Sequence, residues 1–143
     1  MPDLLHQILI RAAPERVYEA VTAQEALCKW WTGDVVAEPT VGSIAEFGFS
    51  NRATLFRMRI DELMPAKRVV WTCLGDWPEW KDTRLTWEIT PGDKATTLRF
   101  THADWRSTDG AFADCNTSWG TLMHRLRDWA EGKAREPVFK GYV

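Results

Sequence analysis

The sequence predicts an α+β fold: a curved antiparallel β-sheet wrapped around a long C-terminal α-helix, with two short helices after the first strand. Three observations predict it. Through the middle of the chain, from residue 44 to residue 101, apolar and polar residues alternate in short runs, the two-residue period of half-buried strands. From residue 112 to residue 129 the apolar residues change to a helical period. Turn residues at Met64-Pro65-Ala66-Lys67 and Pro91-Gly92-Asp93-Lys94 separate the strands into hairpin-like pieces.

Each element follows in order. Residues 5–10 form a short apolar-rich first strand containing His6. Pro14 then opens a helix, because the N–H that proline lacks would be unpaired in the first turn, and Glu15 suits the positive helix end. Val17, Ala20 and Val21 recur at helical spacing with Tyr18 beside them. A second short helix over 24–28 ends near Trp30-Trp31-Thr32-Gly33. Residues 44–49 make a strand. Residues 54–63 place Phe56, Met58 and Ile60 on one face and Arg57, Arg59 and Asp61 on the other. A strand over 68–74 surrounds Trp71, and a polar loop over 75–82 carries Trp77 and Trp80.

Residues 83–90 turn Leu85, Trp87 and Ile89 to one face; residues 95–101 return with Leu98 and Phe100 inward, and His102 continues that face. Glu88 and Arg99 lie on the solvated faces, with their register left open. Phe112, Cys115, Trp119, Leu122, Leu126 and Trp129 then form a stripe with spacings of 3, 4, 3, 4 and 3. Met123 and Ala130 widen it. Asp109 is the candidate N-cap and Gly132 the candidate C-terminal stop. Residues 1–143 form one domain, with 134–143 as a C-terminal tail.

Composition narrows the function classes. The chain has 143 residues, 45% of them hydrophobic and 27% charged, with a formal net charge of -2 and no basic block, which argues against a nucleic-acid or anionic-membrane surface. No apolar run approaches the roughly 18 residues of a membrane span, and the start has no leader pattern, so a cytoplasmic protein is expected. Cys28, Cys73 and Cys115 are odd in number and far apart, and are expected to be reduced, mostly buried thiols. The three histidines have no carboxylate at metal spacing, and no nucleophile elbow or phosphate-cradling loop is present. No metal, cofactor or catalytic motif is therefore assigned.

The nine tryptophans point elsewhere. A small core rarely swallows so many large rings completely, so some should line a cavity or face a partner. If the sheet curls without closing tightly, a pocket remains between it and the last helix.

Almost the whole chain also resembles a known superfamily. The resemblance is carried by Ala13-Pro14, Val17-Tyr18, Ala20-Val21-Thr22, Leu27 with Trp30-Trp31, and Val41-Gly42-Ser43 before a strand. It continues through Pro65, Arg68-Val69-Val70-Trp71-Thr72, then Leu85-Thr86-Trp87-Glu88-Ile89-Thr90-Pro91 with Ala95-Thr96-Thr97-Leu98. It ends with Ser118-Trp119-Gly120, Leu122, Leu126 and Glu131-Gly132. In this order the pieces resemble the START-like, pollen-allergen-type (SRPBCC) superfamily with its helix-grip fold. Within it they are most similar to the AHSA1-type branch, related to the C-terminal domain of the activator of a heat-shock chaperone ATPase. The resemblance implies an apolar cavity between sheet and last helix, without naming a ligand.

The expected function is non-enzymatic binding of an apolar or amphipathic small molecule in that cavity. Its expected walls are Trp31, Phe47, Phe56, Met58, Trp71, Trp87, Phe100, His102, Trp119, Leu122, Met123 and Leu126, with His102 or a tryptophan N–H for orientation. Two alternatives stay open. One is a chaperone-associated interaction module, or a homodimer, using an exposed patch of Trp77, Trp80, Arg57 and Arg59. The other is a cyclase- or hydrolase-type enzyme using His102 with Asp104 or Asp82 in the cavity. Trp77 and Trp80 could equally form a lid, because apolar rings in a surface loop call for cover.

Overall fold

The computed structural model describes residues 1–133 and 136–141. The elements are β1 (Leu4–Ile10), α1 (Pro14–Ala20), α2 (Gln24–Trp30), β2 (Asp34–Val36), β3 (Ile44–Phe49), β4 (Thr54–Met64), β5 (Arg68–Cys73), β6 (Arg84–Pro91), β7 (Thr96–Ala103) and α3 (Phe112–Ala130). Among the described residues the seven strands form one antiparallel sheet in the order β1-β7-β6-β5-β4-β3-β2. The curved sheet grips α3, the helix-grip arrangement. Among these residues no helix is long and apolar enough to cross a membrane.

The alternation read from the sequence sets the two faces of the sheet. Phe56, Met58 and Ile60 are buried while Arg57 and Arg59 are exposed. A bulge between Ile60 and Glu62 then shifts the pairing with β5, so the alternation weakens along the rest of β4. The open register on the neighbouring hairpin resolves with Glu88 directly opposite Arg99. Strand β2 was not anticipated. It is only three residues long, too short for a periodic signal, and it exists because Asp34–Val36 pairs with β3. Gly48 on β3 makes this possible, since a Cβ there would stand 2.1 Å from Asp34 Oδ2. That carboxylate is held by Arg52, whose Nε and Nη2 donate to its two oxygens at 2.9 Å each.

The short helices are tied by tertiary contacts rather than by propensity. Trp30 is fully buried and donates its indole N–H to Ala20 O at 2.8 Å, locking α2 onto the end of α1. The guanidinium of Arg16 on α1 lies 3.5 Å over the Trp129 ring of α3.

Helix α3 ends as expected and begins differently. Gly132, at φ +82°, closes a Schellman motif in which its N–H reaches Trp129 O and the Lys133 N–H reaches Asp128 O. The N-cap position is Ala111, not Asp109. Its backbone N–H donates to Glu79 Oε2 at 2.7 Å, so a carboxylate from the loop between β5 and β6 does the work assigned to a local side chain.

Of the tail expected over 134–143, residues 134, 135, 142 and 143 lie outside the described residues. Residues 136–141 run back across the end of α2. Phe139 donates its N–H to Trp31 O at 2.9 Å and accepts from Gly33 N–H at 3.0 Å, and Gly141 O accepts from Asn51 N–H at 3.0 Å.

Because Glu79 joins the tryptophan-bearing loop to the start of α3, Glu79→Ala is expected to cost about 1 kcal/mol in urea unfolding. Amide exchange in residues 75–82 should speed up in the same variant. A loop as protected as in the wild type would show that Glu79 does not anchor it.

Candidate functional site

Most of the space between sheet and helix is filled by aromatic rings. Trp31 lies 4.4 Å from Phe47 and 5.1 Å from Trp119, centroid to centroid. Phe100 contacts both Trp87 and Trp119 at 4.3 Å. Trp71 and Trp87 meet edge to face at 5.7 Å. A pocket of about 270 Å³ opens at one end of this cluster. Trp119 and Leu122 of α3 form one wall, Phe49, Thr54 and Phe56 of the β3–β4 hairpin another. Trp77 and Trp80 come from the 75–82 loop, Trp31 from the end of α2 and Phe139 from the C-terminal segment. Cys115, Ser118 and Ser50 complete the lining, so no charged side chain lines it among the described residues.

Four of the twelve expected wall residues, Trp31, Phe56, Trp119 and Leu122, stand on this pocket. Phe47, Met58, Trp71, Trp87, Phe100, His102, Met123 and Leu126 are buried in the packed interior and do not line it. The lining residues absent from that set had uneven signals. Cys115 was on the helical stripe already, and Ser118 is on the same turn. Phe139 sits in the apolar Pro137-Val138-Phe139 run, whose return to Trp31 is a tertiary event that no local pattern announces.

The loop tryptophans separate into two roles. Trp80 is buried, stacks on Phe56 at 4.3 Å and lies parallel to Trp119 at 6.1 Å. Trp77 is half-buried above it, 5.3 Å from Phe56. The pair therefore roofs the pocket, and the patch imagined with Arg57 and Arg59 does not form around an exposed Trp80. Arg57 is held by Asp76 at 2.8 Å, and Arg59 by Asp61 at 2.7 Å.

Behind the pocket a chain of hydrogen bonds runs through His102. Trp119 Nε1–H donates to His102 Nδ1 at 3.2 Å, which leaves the proton of the neutral ring on Nε2. Nε2–H in turn donates to Thr83 Oγ1 at 2.9 Å, and the Thr83 hydroxyl donates to Trp80 O at 2.6 Å. Burial lowers the His102 pKa to about 3, so the ring is neutral at physiological pH. Both ring nitrogens are occupied by this structural chain. Asp104 and Asp82, the carboxylates an enzyme reading pairs with His102, are exposed and do not face the ring nitrogens, which Trp119 and Thr83 take up.

The thiols are similarly quiet. Burial raises the pKa of Cys28 and Cys115 and pushes Cys73 up to about 12. At Cys115 burial prevails over the neighbouring Trp80 indole N–H, which favours the thiolate. Among the described residues no group of three or more His, Cys, Asp or Glu side chains could hold a metal ion.

With this geometry established, comparison with known proteins fixes the lineage. The family model described as "Activator of Hsp90 ATPase homolog 1-like protein" matches residues 11–131. The chain belongs to this family. The Aha1 dimer from Colwellia psychrerythraea, solved in solution, is 34% identical with a TM-score of 0.85, covering 92% of this chain and 98% of that one. CV1439 from Chromobacterium violaceum shares the fold at 23% identity and TM-score 0.78, over 92% and 98% of the two chains. DynU16, from the dynemicin biosynthetic locus, shares it at 22% identity and TM-score 0.79; 99% of this chain covers 51% of DynU16. No curated protein sequence matches the chain. In this member of the Aha1-like family the pocket is set by Trp31, Phe56, Trp80 and Trp119, with His102 buried behind it.

The histidine carries a pH signature. An unfolded histidine takes up a proton near its ordinary 6.5, whereas folded His102 resists until about 3. Between these values the unfolded state binds more protons. Stability is therefore complete above pH 6.5 and is lost as pH falls, by about 1.4 kcal/mol per unit at most. His6, also lowered by burial, adds a smaller slope of the same sign. Urea unfolding at pH 7 and pH 5 should differ by about 2 kcal/mol from His102 alone. That part should vanish in His102→Gln; an unchanged slope would contradict the buried neutral ring.

Proposed function

We propose that this protein binds an apolar or amphipathic small molecule, without chemical conversion, in the pocket between Trp31, Phe56, Trp80 and Trp119. The observation that carries the reading is an aromatic pocket of about 270 Å³, with no charged side chain in its lining among the described residues, at one end of the packed ring cluster. Ligand sites commonly occupy about 300–1,000 Å³, so the matching guest is small: one or two fused rings, or a short acyl chain. Apolar burial supplies the affinity, at about 25 cal/mol per Å² removed from water, before the cost of association. The hydroxyls of Ser50, Thr54 and Ser118 and the Cys115 thiol are among the polar groups available to orient it.

The reading separates His102 from chemistry. Its two nitrogens are committed to Trp119 and Thr83, so it shapes the wall from behind. A hydrolase or cyclase would need a free acid or base at the pocket surface. A second reading, stimulation of an Hsp90-type ATPase, is favoured by the family-model match and by the 34% identity to Aha1. It needs a surface for the chaperone and no pocket, and an ATPase assay with and without the protein tests it directly.

Titration with 2-naphthol and with octanoate, followed by tryptophan emission and calorimetry, tests the first reading. Saturable quenching or a blue shift is expected from Trp31, Trp77, Trp80 and Trp119. Ser118→Trp, which fills the pocket from its half-buried helical edge, should weaken binding by about tenfold or more, the loss of roughly 1.4 kcal/mol. Absence of a response to both probes, or equal binding by Ser118→Trp, would overturn it.

A further inference from the structure

The one long strand at a free end of the sheet is β1. It is paired on a single side, by β7, through the register Leu4↔His102 to Ile10↔Thr96. An unpaired strand edge is a template for another strand unless it is short, charged or covered. This one is seven residues long, and on its outer face Leu5 is 56% and Leu9 64% exposed. Gln7 lies exposed between them. The opposite end of the sheet closes differently, with the three-residue β2 and the returning C-terminal segment.

The order of side chains along β1 is close to symmetric about Gln7. If a second β1 runs antiparallel with a two-fold axis through Gln7, Leu5 faces Leu9 of the second copy, and Leu9 faces its Leu5. On the inner face His6 meets Ile8, and Leu4 meets Ile10. One position beyond the strand at each end, Asp3 comes opposite Arg11 of the second copy. The side-chain period of two keeps every one of these pairs on a common face.

The charges around the strand follow the same rule. Asp3 and Asp104 stand exposed at the Leu5 end, with Asp104 N–H donating to Asp3 Oδ1 at 3.0 Å. At the other end, Leu9 borders an open cleft with Arg11, Lys94, Arg127 and Lys133. Among the described residues two acids meet these cations: Glu131, engaged by Lys133 at 3.2 Å and by the Arg11 backbone N–H at 2.8 Å, and Asp128, 3.8 Å from Arg127 and 3.9 Å from Lys133, so the four cations still outnumber the acids. Antiparallel pairing sets the acidic end of each copy against the basic end of the other; parallel pairing would set like against like.

We propose that β1 is a self-association edge, on which a second copy of this chain pairs β1 to β1 and extends the sheet across a two-fold axis at Gln7. The occupant is a second copy because the strand complements itself in both apolar and charged positions, the requirement of an isologous interface. The 34% identical Aha1 from Colwellia psychrerythraea is itself described as a dimer, which agrees in stoichiometry. None of the pocket-lining residues lies on β1, so the proposal is independent of ligand binding.

Sedimentation over a wide concentration range tests it. The wild type is expected to dimerise, and Leu5→Lys with Leu9→Lys to sediment as a folded monomer that still binds 2-naphthol as the wild type does. Asp3→Arg and Arg11→Asp should each weaken the dimer by about tenfold or more, and the two together should restore it. In Gln7→Cys the two thiols would face each other at a Cα separation of about 4.5–5.5 Å, within disulfide reach, so mild oxidation should cross-link the dimer. The native cysteines are buried or half-buried. A wild-type monomer at all concentrations would overturn the proposal. So would a dimer indifferent to the leucine and charge changes, which would place the second copy, or any other strand partner, elsewhere.

Discussion

The structure depends on a buried hydrogen-bond chain from Trp119 through His102 and Thr83 to the carbonyl of Trp80. Trp119 belongs to α3, His102 to β7, and Thr83 to the residue just before β6. One neutral imidazole therefore ties the long helix, the sheet and the roof loop together. Removing the indole donor or the ring would strand polar groups in an apolar interior, where each unpaired group costs about 1–3 kcal/mol. The chain also fixes the Trp119 ring plane, against which Phe100 packs on one side and Trp31 on another. The geometry of the pocket follows from that ring.

A second constraint is volume. The interior holds Trp30, Trp31, Trp71, Trp87, Trp105 and Trp119 as essentially fully buried side chains. Rings of that size fill space in large quanta, and most of them interdigitate at the density of an ordinary protein interior. The pocket opens where three separate segments approach α3: the β3–β4 hairpin, the 75–82 loop and the C-terminal segment through Phe139. Its wall is largely aromatic surface with no charged side chain among the described residues.

Much of the fold was legible in the sequence because it rests on periodicity. The strands around Phe56, Trp71, Trp87 and Phe100, the helical stripe from Phe112 to Trp129 and the stop at Gly132 are local patterns that tertiary packing obeys. The start of α3 was not legible, because its cap is Glu79, distant in sequence and brought in by the loop. Strand β2 escaped because three residues carry no period. The site was only partly legible for a similar reason. Trp31, Phe56, Trp119 and Leu122 could be placed on a wall from their faces, but that same inference gathered in Trp71, Trp87 and Phe100. A face pattern identifies which side is buried; it does not tell a filled layer from an open one. His102 was marked by its position on an apolar strand, yet its role was set by two partners that only the folded chain supplies.

The central claim is that an open apolar space persists beside Trp119 in the folded protein and that small apolar guests enter it. A crystal structure under xenon pressure measures this most directly, since xenon occupies apolar voids without needing a specific partner. The account predicts xenon density between Trp31, Phe56, Trp80 and Trp119, with the His102 chain undisturbed. An interior with no xenon there, and the Trp77–Trp80 loop collapsed onto Trp119 and Leu122, would contradict it.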